Sequence, residues 1–218
     1  MDIKNIPFVL IALLMGIIGI IADYFMDDEL QILLWFIRIL VYVFIGLWLK
    51  RFVNIMYANV YKDALTGLNN RVYLYFYLEQ KLNAIGRTHK PISLAVIDID
   101  DFKNINDSYG HLEGDRALVQ VSKLIVRCIR QNDFVVRWGG EEFIVVLEDA
   151  DRESAFIIAD RIRHQIEQKS FEHKDHQYKI TVSIGLETTN TKMSANDLIY
   201  AADKLLYKAK EEKNIVLN

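Results

Sequence analysis

Four carboxylates stand at two places where the chain turns. Asp98 and Asp100 close a short apolar run, Ile92-Ser93-Leu94-Ala95-Val96-Ile97, while Glu141 and Glu142 follow Gly139-Gly140 between two further apolar runs. Acids grouped at strand ends suggest a site for a divalent cation. Hard cations such as Mg²⁺ take oxygen ligands from one or two carboxylates and keep positions open for water and substrate phosphates, an arrangement that suits nucleotidyl transfer. Glycines lack Cβ, reach positive φ and let a ligand come close to the backbone, so a nucleotide can lie across such a turn. Each feature alone has a plainer explanation: Gly-Gly makes an ordinary hairpin turn, and acids at strand ends are commonly just solvated.

Their company argues otherwise. Phe102-Lys103, Asn106-Asp107, Gly110-His111 and Gly114-Asp115 recur at fixed spacing between the two acidic groups, a combination that chance rarely produces. The segment 63–214 resembles the GGDEF domains of diguanylate cyclases, whose signature loop reads here Gly139-Gly140-Glu141-Glu142-Phe143. The resemblance implies an α+β fold like the palm of polymerases and class III nucleotide cyclases, with a central mixed β-sheet flanked by helices and the signature on a hairpin.

It also implies that Asp98, the carbonyl of Ile99 and Glu141 hold two Mg²⁺ ions, with Mn²⁺ as an alternative, bridging the phosphates of GTP. Asn106 and Asp115 take the place of the family's guanine readers. A carboxylate can accept from both guanine N1–H and the exocyclic amine, and a site built for such donors rejects a base that lacks them. Lys103 and Lys210 are expected to meet phosphate charge, His111 to lie near the ribose or phosphates, and Gly139 and Gly140 to line the nucleotide. The implied reaction joins two GTP into cyclic di-GMP, each 3′-hydroxyl attacking the other nucleotide's α-phosphate and expelling pyrophosphate, so a homodimer is needed. Glu142 is the candidate for removing the proton or supporting its removal; Glu141 remains open for the same part.

Arg130-Gln131-Asn132-Asp133 matches the family's RxxD product-binding motif, with Arg161 as a possible second arginine; guanidinium forks suit bidentate phosphate and guanine contacts. This implies allosteric inhibition by cyclic di-GMP. Asp63, Thr66, Gly67, Asn69 and Arg71 resemble the turn that joins an incoming signalling helix to such domains. One departure stands out. Where the family places Gly-Arg-Asn after an Ala-Lys pair, this chain reads Ala209-Lys210-Glu211-Glu212-Lys213-Asn214, leaving Lys213 to substitute for a phosphate-contacting arginine.

The elements that position these groups follow from patterning. The chain has 218 residues, 52% hydrophobic and 25% charged, with a mean hydropathy of +0.11; the apolar excess is concentrated in the first fifty positions. Two runs, spans of about 6–25 and 30–49, approach the roughly 20 residues a bilayer core demands, which predicts a transmembrane hairpin over 1–49. A secretory signal would have a shorter apolar core and a small-residue cleavage site, whereas the first run leads through Asp23-Tyr24-Phe25 into a second one. Lys4, Lys50 and Arg51 flank the outer ends and Asp27-Asp28-Glu29 the connection. The positive-inside rule therefore predicts a multi-pass protein of the bacterial inner membrane with its N-terminus and catalytic domain in the cytoplasm. Arg38 and Asp23 are charges inside the spans, expensive unless paired, and are expected to pair. The short connection leaves no room for a periplasmic ligand-binding domain.

Residues 50–62 carry Phe52, Val53, Met56 and Val60 at helical spacing, so the second span is expected to continue as a signalling helix into one domain over 63–218. Within it the pattern predicts a helix over 72–85, a central strand over 92–100, a turn-rich segment over 104–114 and a helix over 115–130. A β-hairpin over 134–138 and 143–147, a helix over 152–168, a strand over 178–186 and a helix over 194–212 complete it. A net charge of −3 without a long Lys/Arg stripe argues against a nucleic acid polymer as partner. Cys128, the sole cysteine, fits a reducing compartment and a small buried apolar role. Two rivals to an enzyme are a catalytically silent receptor, which usually has a damaged signature loop, and a membrane scaffold.

Overall fold

The computed structural model describes residues 16, 19, 28–88, 90–174 and 176–218. The chain forms two compact units, Met1–Met56 and Tyr57–Asn218. Of the first expected span only Gly16 and Gly19 are described; Asp23, and with it the expected Asp23–Arg38 pair, lies outside the described residues. Helix α1, Asp28–Tyr61, covers the second expected span and its continuation. Its Gln31–Val53 stretch, with a mean hydropathy of 2.4, is the one helical segment among the described residues long and apolar enough to cross a membrane. Arg38 donates to the Gly19 carbonyl at 3.3 Å and lies 5.6 Å from the Trp35 ring centroid.

In the second unit β2, Ile92–Ile99, is the middle strand of a six-stranded mixed sheet. Its antiparallel neighbours are β4, Glu142–Glu148, and β7, Val182–Thr189. Beyond β4 lie β3, Phe134–Gly139, and the short parallel β1, Asn69–Asn70; beyond β7 lies the short parallel β8, Val216–Leu217. Both faces of β2 are buried, and its alternation sends Leu94 and Val96 to one layer and Ala95, Ile97 and Ile99 to the other. The first layer is closed by α2, Arg71–Thr88, and by α6, Ala195–Glu212. The second is closed by α4, His111–Cys128, and α5, Arg152–Gln168. Asp151 caps α5 by accepting from the Ser154 amide at 2.9 Å, which fixes its start at the expected residue.

Two expectations are corrected. The segment 104–114, expected as turns, is helical on both sides of Gly110: α3 spans Phe102–Tyr109 and α4 begins at His111, with only Gly110, at φ 85, between them. Its turn-forming polar residues lie on an exposed face while Phe102 and Ile105, three apart, are buried. The strand expected over 178–186 is divided, because the chain first forms a small hairpin of β5, Phe171–His173, and β6, His176–Tyr178, before β7 begins. Cys128 is buried and free, and burial pushes its thiol pKa up.

Gly185 shows how closely α6 lies on the sheet. A Cβ there would sit 2.1 Å from the Ala202 carbonyl oxygen and 2.2 Å from the Leu206 nitrogen. Both contacts are with helix backbone, which cannot give way as a side chain tip does. Gly185→Ala should cost about 3 kcal/mol of stability, read as a lowered midpoint of chemical unfolding; an unchanged midpoint would mean that α6 can ride over the added methyl.

Candidate active site

Sheet register sets the centre of the site. Asp98 pairs with Glu142 across β2 and β4 and with Ser183 across β2 and β7, so the last turn of the central strand presents its carboxylate beside the signature hairpin. A bulge between Arg137 and Gly139 re-aims the end of β3, Gly139 pairs with Glu142, and Gly140 and Glu141 form the tip. Arg137 secures that tip. Its Nε and Nη2 donate to the Gly140 carbonyl at 3.0 and 2.7 Å, while Nη1 donates to both Asp63 carboxylate oxygens at 3.2 and 3.3 Å. Asp63 also accepts from the Thr66 amide and hydroxyl at 2.8 and 2.7 Å. Against burial, the Thr66 hydrogen bonds and the Arg137 charge hold the Asp63 carboxyl below its ordinary range. The turn containing Asp63, Thr66 and Gly67 is thereby joined to the signature loop by one guanidinium fork.

Around Asp98 the electrostatics are adverse to charge. Burial, with the neighbouring Asp100 adding to it, raises the Asp98 pKa. Burial and Asp98 raise Glu141; burial, Asp98, Asp203 and Glu141 raise Glu142. Lys210, near the end of α6, opposes all three shifts. Its Nζ forms an ion pair with Asp98 Oδ1 at 2.5 Å. The same ammonium donates to the Ile99 carbonyl at 3.0 Å and to Asp100 Oδ1 at 3.1 Å. The expected phosphate contact Lys210 therefore rests against the same two groups, Asp98 and the Ile99 carbonyl, that the resemblance implies as metal ligands.

Asp98, the Ile99 carbonyl and Glu141 fit a hard divalent cation: every donor is an oxygen, and both carboxylates have raised pKa values. Among the described residues no three His, Cys, Asp or Glu side chains are grouped closely enough to hold a metal ion by themselves; a cation here would draw its other oxygens from the Ile99 carbonyl, water and phosphates. Asp100 belongs elsewhere. Thr181, Ser183 and the Asn214 amide donate to it at 2.8, 2.7 and 3.1 Å and, against burial, hold its carboxyl low. It is a structural anchor between β2, β7 and the end of α6.

Lys213 donates to both oxygens of Asp101 at 2.8 Å in an exposed ion pair. Its φ of 59 lies where glycine is favoured, the conformational cost of this chain's departure from Gly-Arg-Asn.

The expected base readers, Asn106 and Asp115, are carried by α3 and α4. A Cβ at Gly114 would lie 2.0 Å from Asn106 Oδ1; only glycine lets the Asn106 side chain pack against α4 beside Asp115. Asp115 is exposed and lines a cavity of about 430 Å³ with Leu65, Leu112, Arg116, Val119 and Gln120. Lys103 and His111 are exposed on the same two helices.

The RxxD residues divide. Arg130 is exposed, whereas Asp133 is buried and accepts from the Arg130 amide at 2.9 Å and the Glu148 amide at 3.1 Å. Arg161 donates to the Cys128 carbonyl, which brings it to the end of α4 near Arg130. Sequence patterning missed Arg137, read only as a strand residue, and Asp203, whose position on α6 carries no motif.

The family model for the diguanylate cyclase GGDEF domain matches residues 60–215. Diguanylate cyclase A of Treponema denticola is 40% identical over 153 residues, 68% of this chain and 41% of that protein. Diguanylate cyclase DosC of Escherichia coli K12 is 36% identical over 160 residues, 73% of this chain and 35% of that protein. The chain thus spans less than half the length of these curated relatives. A crystal structure of the coiled coil and GGDEF domain of DgcB from Caulobacter crescentus in complex with c-di-GMP aligns with a TM-score of 0.77 at 26% identity, covering 82% of this chain and 96% of that one. The GGDEF domain of PA1120 (TpbB or YfiN) from Pseudomonas aeruginosa aligns at 0.67 with 31% identity, covering 71% and 92%.

Arg137→Lys should uncouple the hairpin tip from the Asp63 turn, because one ammonium cannot reproduce a fork that reaches a carbonyl and a carboxylate at once. The expected loss is about 2 kcal/mol of stability, measured by chemical denaturation; a loss below about 0.5 kcal/mol would show that the fork does not hold the loop.

Proposed function

The chain belongs to the GGDEF diguanylate cyclase family, and we propose that it condenses two GTP into cyclic di-GMP and two pyrophosphates. The observation that carries this is the carboxylate cluster of Asp98, Glu141 and Glu142 at the end of a strand that leads, through Ile99, directly into the α3–α4 pair bearing Asn106 and Asp115. A nucleotide bound there would have its base on the helices and its triphosphate at the carboxylates.

Asp98, the Ile99 carbonyl and Glu141 are the groups that would hold Mg²⁺ or Mn²⁺. When bound, such ions supply neutralisation of phosphate charge and orientation of the attacking and leaving oxygens. Asn106 and Asp115 select guanine through its N1–H and exocyclic amine. Lys210, displaced from Asp98 and Ile99, is placed to meet phosphate charge, with Lys103 and His111 at the helix side. Glu142, whose raised pKa comes from burial and neighbouring acids, takes or relays the 3′-hydroxyl proton, the oxygen closes on the α-phosphorus of the facing nucleotide, and pyrophosphate departs. Each domain holds one GTP, so two copies face each other as a homodimer. Exposed Arg130, with Arg161 beside it and Asp133 fixing the turn, forms the site at which cyclic di-GMP inhibits.

The same reading places the domain at a bilayer. Gln31–Val53 serves as one span, residues 6–25 as the other, and the inner membrane holds the protein with its N-terminus and domain cytoplasmic. Signals then reach the cyclase through membrane, cytoplasm or a partner, by way of α1.

The test is incubation of the full chain, in detergent or nanodiscs, with GTP and Mg²⁺, and separation of the nucleotides by chromatography. Cyclic di-GMP is expected, with Glu142→Gln about 100-fold slower or worse and Arg130→Ala progressing further before the product arrests it. A dimeric wild type that binds nucleotide yet makes no product would overturn the enzyme in favour of a receptor.

A further inference from the structure

The first turn of α4 carries a second acid besides Asp115. Glu113 lies two residues before it, so the two side chains leave the helix about 200° apart: Asp115 is exposed and Glu113 points inward, its side chain 1% exposed. Both of its oxygens are engaged. The Tyr178 hydroxyl donates to Oε1 at 2.9 Å, and His173 Nδ1 lies 3.0 Å from Oε2, with the Arg116 guanidinium 3.4 Å away at the surface. His173 ends β5 and Tyr178 ends β6, so one buried carboxylate grips both strands of the small hairpin.

That hairpin also touches α3. The ring of Tyr109, the last residue of α3, stacks on Tyr178 at 5.0 Å and meets His173 at 5.4 Å between centroids. The junction itself is weakly determined from within. Gly110 alone separates the helices, and no side chain caps the start of α4. The front of the junction is closely packed, with the Asn106 side chain in the space that a Gly114 side chain would need. A small rotation of α4 therefore alters how Asn106 and Asp115 face a shared ligand, and the contacts that resist it come from behind.

We propose that Glu113 is a positioning residue for base recognition: its grip on His173 and Tyr178 makes the β5–β6 hairpin the back wall that sets Asp115 against Asn106. The proposal rests on the guanine-reading role given above to those two residues. Protonation states agree with it: against burial, hydrogen bonds from His173 and Tyr178 hold the Glu113 carboxyl below its ordinary range, and burial together with Glu113 pushes the Tyr178 hydroxyl up. The acceptor stays an anion and the donor keeps its proton at neutral pH.

The experiment measures kcat/KM of the full chain in nanodiscs for GTP and for inosine triphosphate, which lacks the exocyclic amine, in wild type and in Glu113→Ala, Glu113→Gln and Tyr178→Phe. The preference for GTP should fall about tenfold in Glu113→Ala, the scale of one misaligned hydrogen bond to the base, with the change in KM rather than kcat. Glu113→Gln, which keeps an acceptor for Tyr178, should restore most of it, and Tyr178→Phe should fall between. The proposal is overturned if folded Glu113→Ala and Tyr178→Phe retain the wild-type preference, or lose both nucleotides equally, as general loosening would cause. Where Glu113→Ala does not fold, Tyr178→Phe decides by the same criterion. A wild type that turns over both nucleotides equally overturns the guanine reading itself, and the proposal with it, which is a different result from a preference that Glu113 leaves untouched.

Discussion

Three carboxylates, Asp98, Glu141 and Glu142, are brought out of water around a single ammonium, that of Lys210. Desolvating one anion is costly and crowding three is more so, yet the β2–β4 register leaves no alternative, since it sets Asp98 opposite Glu142. The raised pKa values of all three record the same fact. An arrangement that resists charge until more positive charge arrives is costly for a fold and useful for a site that must bind a polyanion through cations.

The rest of the domain holds that arrangement in place. Arg137 fastens the hairpin tip to the Asp63 turn, and Asp100, saturated by donors from β7 and the end of α6, keeps Lys210 within reach. Neither contributes to the chemistry directly. Asp100 is buried and Arg137 half-buried, and each is held by several hydrogen bonds, the condition under which such groups add specificity of geometry. The base side is organised similarly, with Gly114 admitting Asn106 in front and Glu113 anchored behind. The site is thus a set of strand ends and helix starts, each tied by a charged group to an element distant in sequence.

Much of this was legible in the chain. The short apolar run that ends at Asp98 and the Gly-Gly between two apolar runs reported β2 and the β3–β4 hairpin, because strands buried on both faces and a tight turn leave strong local signals. The start of α5 was readable from its capping aspartate. The helices on either side of Gly110 were hidden by the polar residues of α3, since Asn104, Asn106 and Asp107 read as turn formers when their burial pattern is short. β1, β5, β6 and β8 span two or three residues each, too few for any periodicity. Asp98, Asn106, Asp115 and the two glutamates stood out as candidates from spacing and resemblance. The contacts of Arg137, Asp100 and Glu113 were not legible, because each joins segments tens of residues apart. Nor was the Lys213–Asp101 ion pair, for the same reason.

The central claim is that the Asp98 cluster receives divalent cations together with the triphosphate. The direct measurement is Mn²⁺ binding by electron paramagnetic resonance to the full chain in nanodiscs, with and without 3′-deoxy-GTP, which binds but cannot cyclise. Wild type should bind Mn²⁺ tightly only when the nucleotide is present, and Asp98→Asn should lose that binding while remaining folded. Mn²⁺ binding that is indifferent to the nucleotide, or equal in Asp98→Asn, would contradict the account.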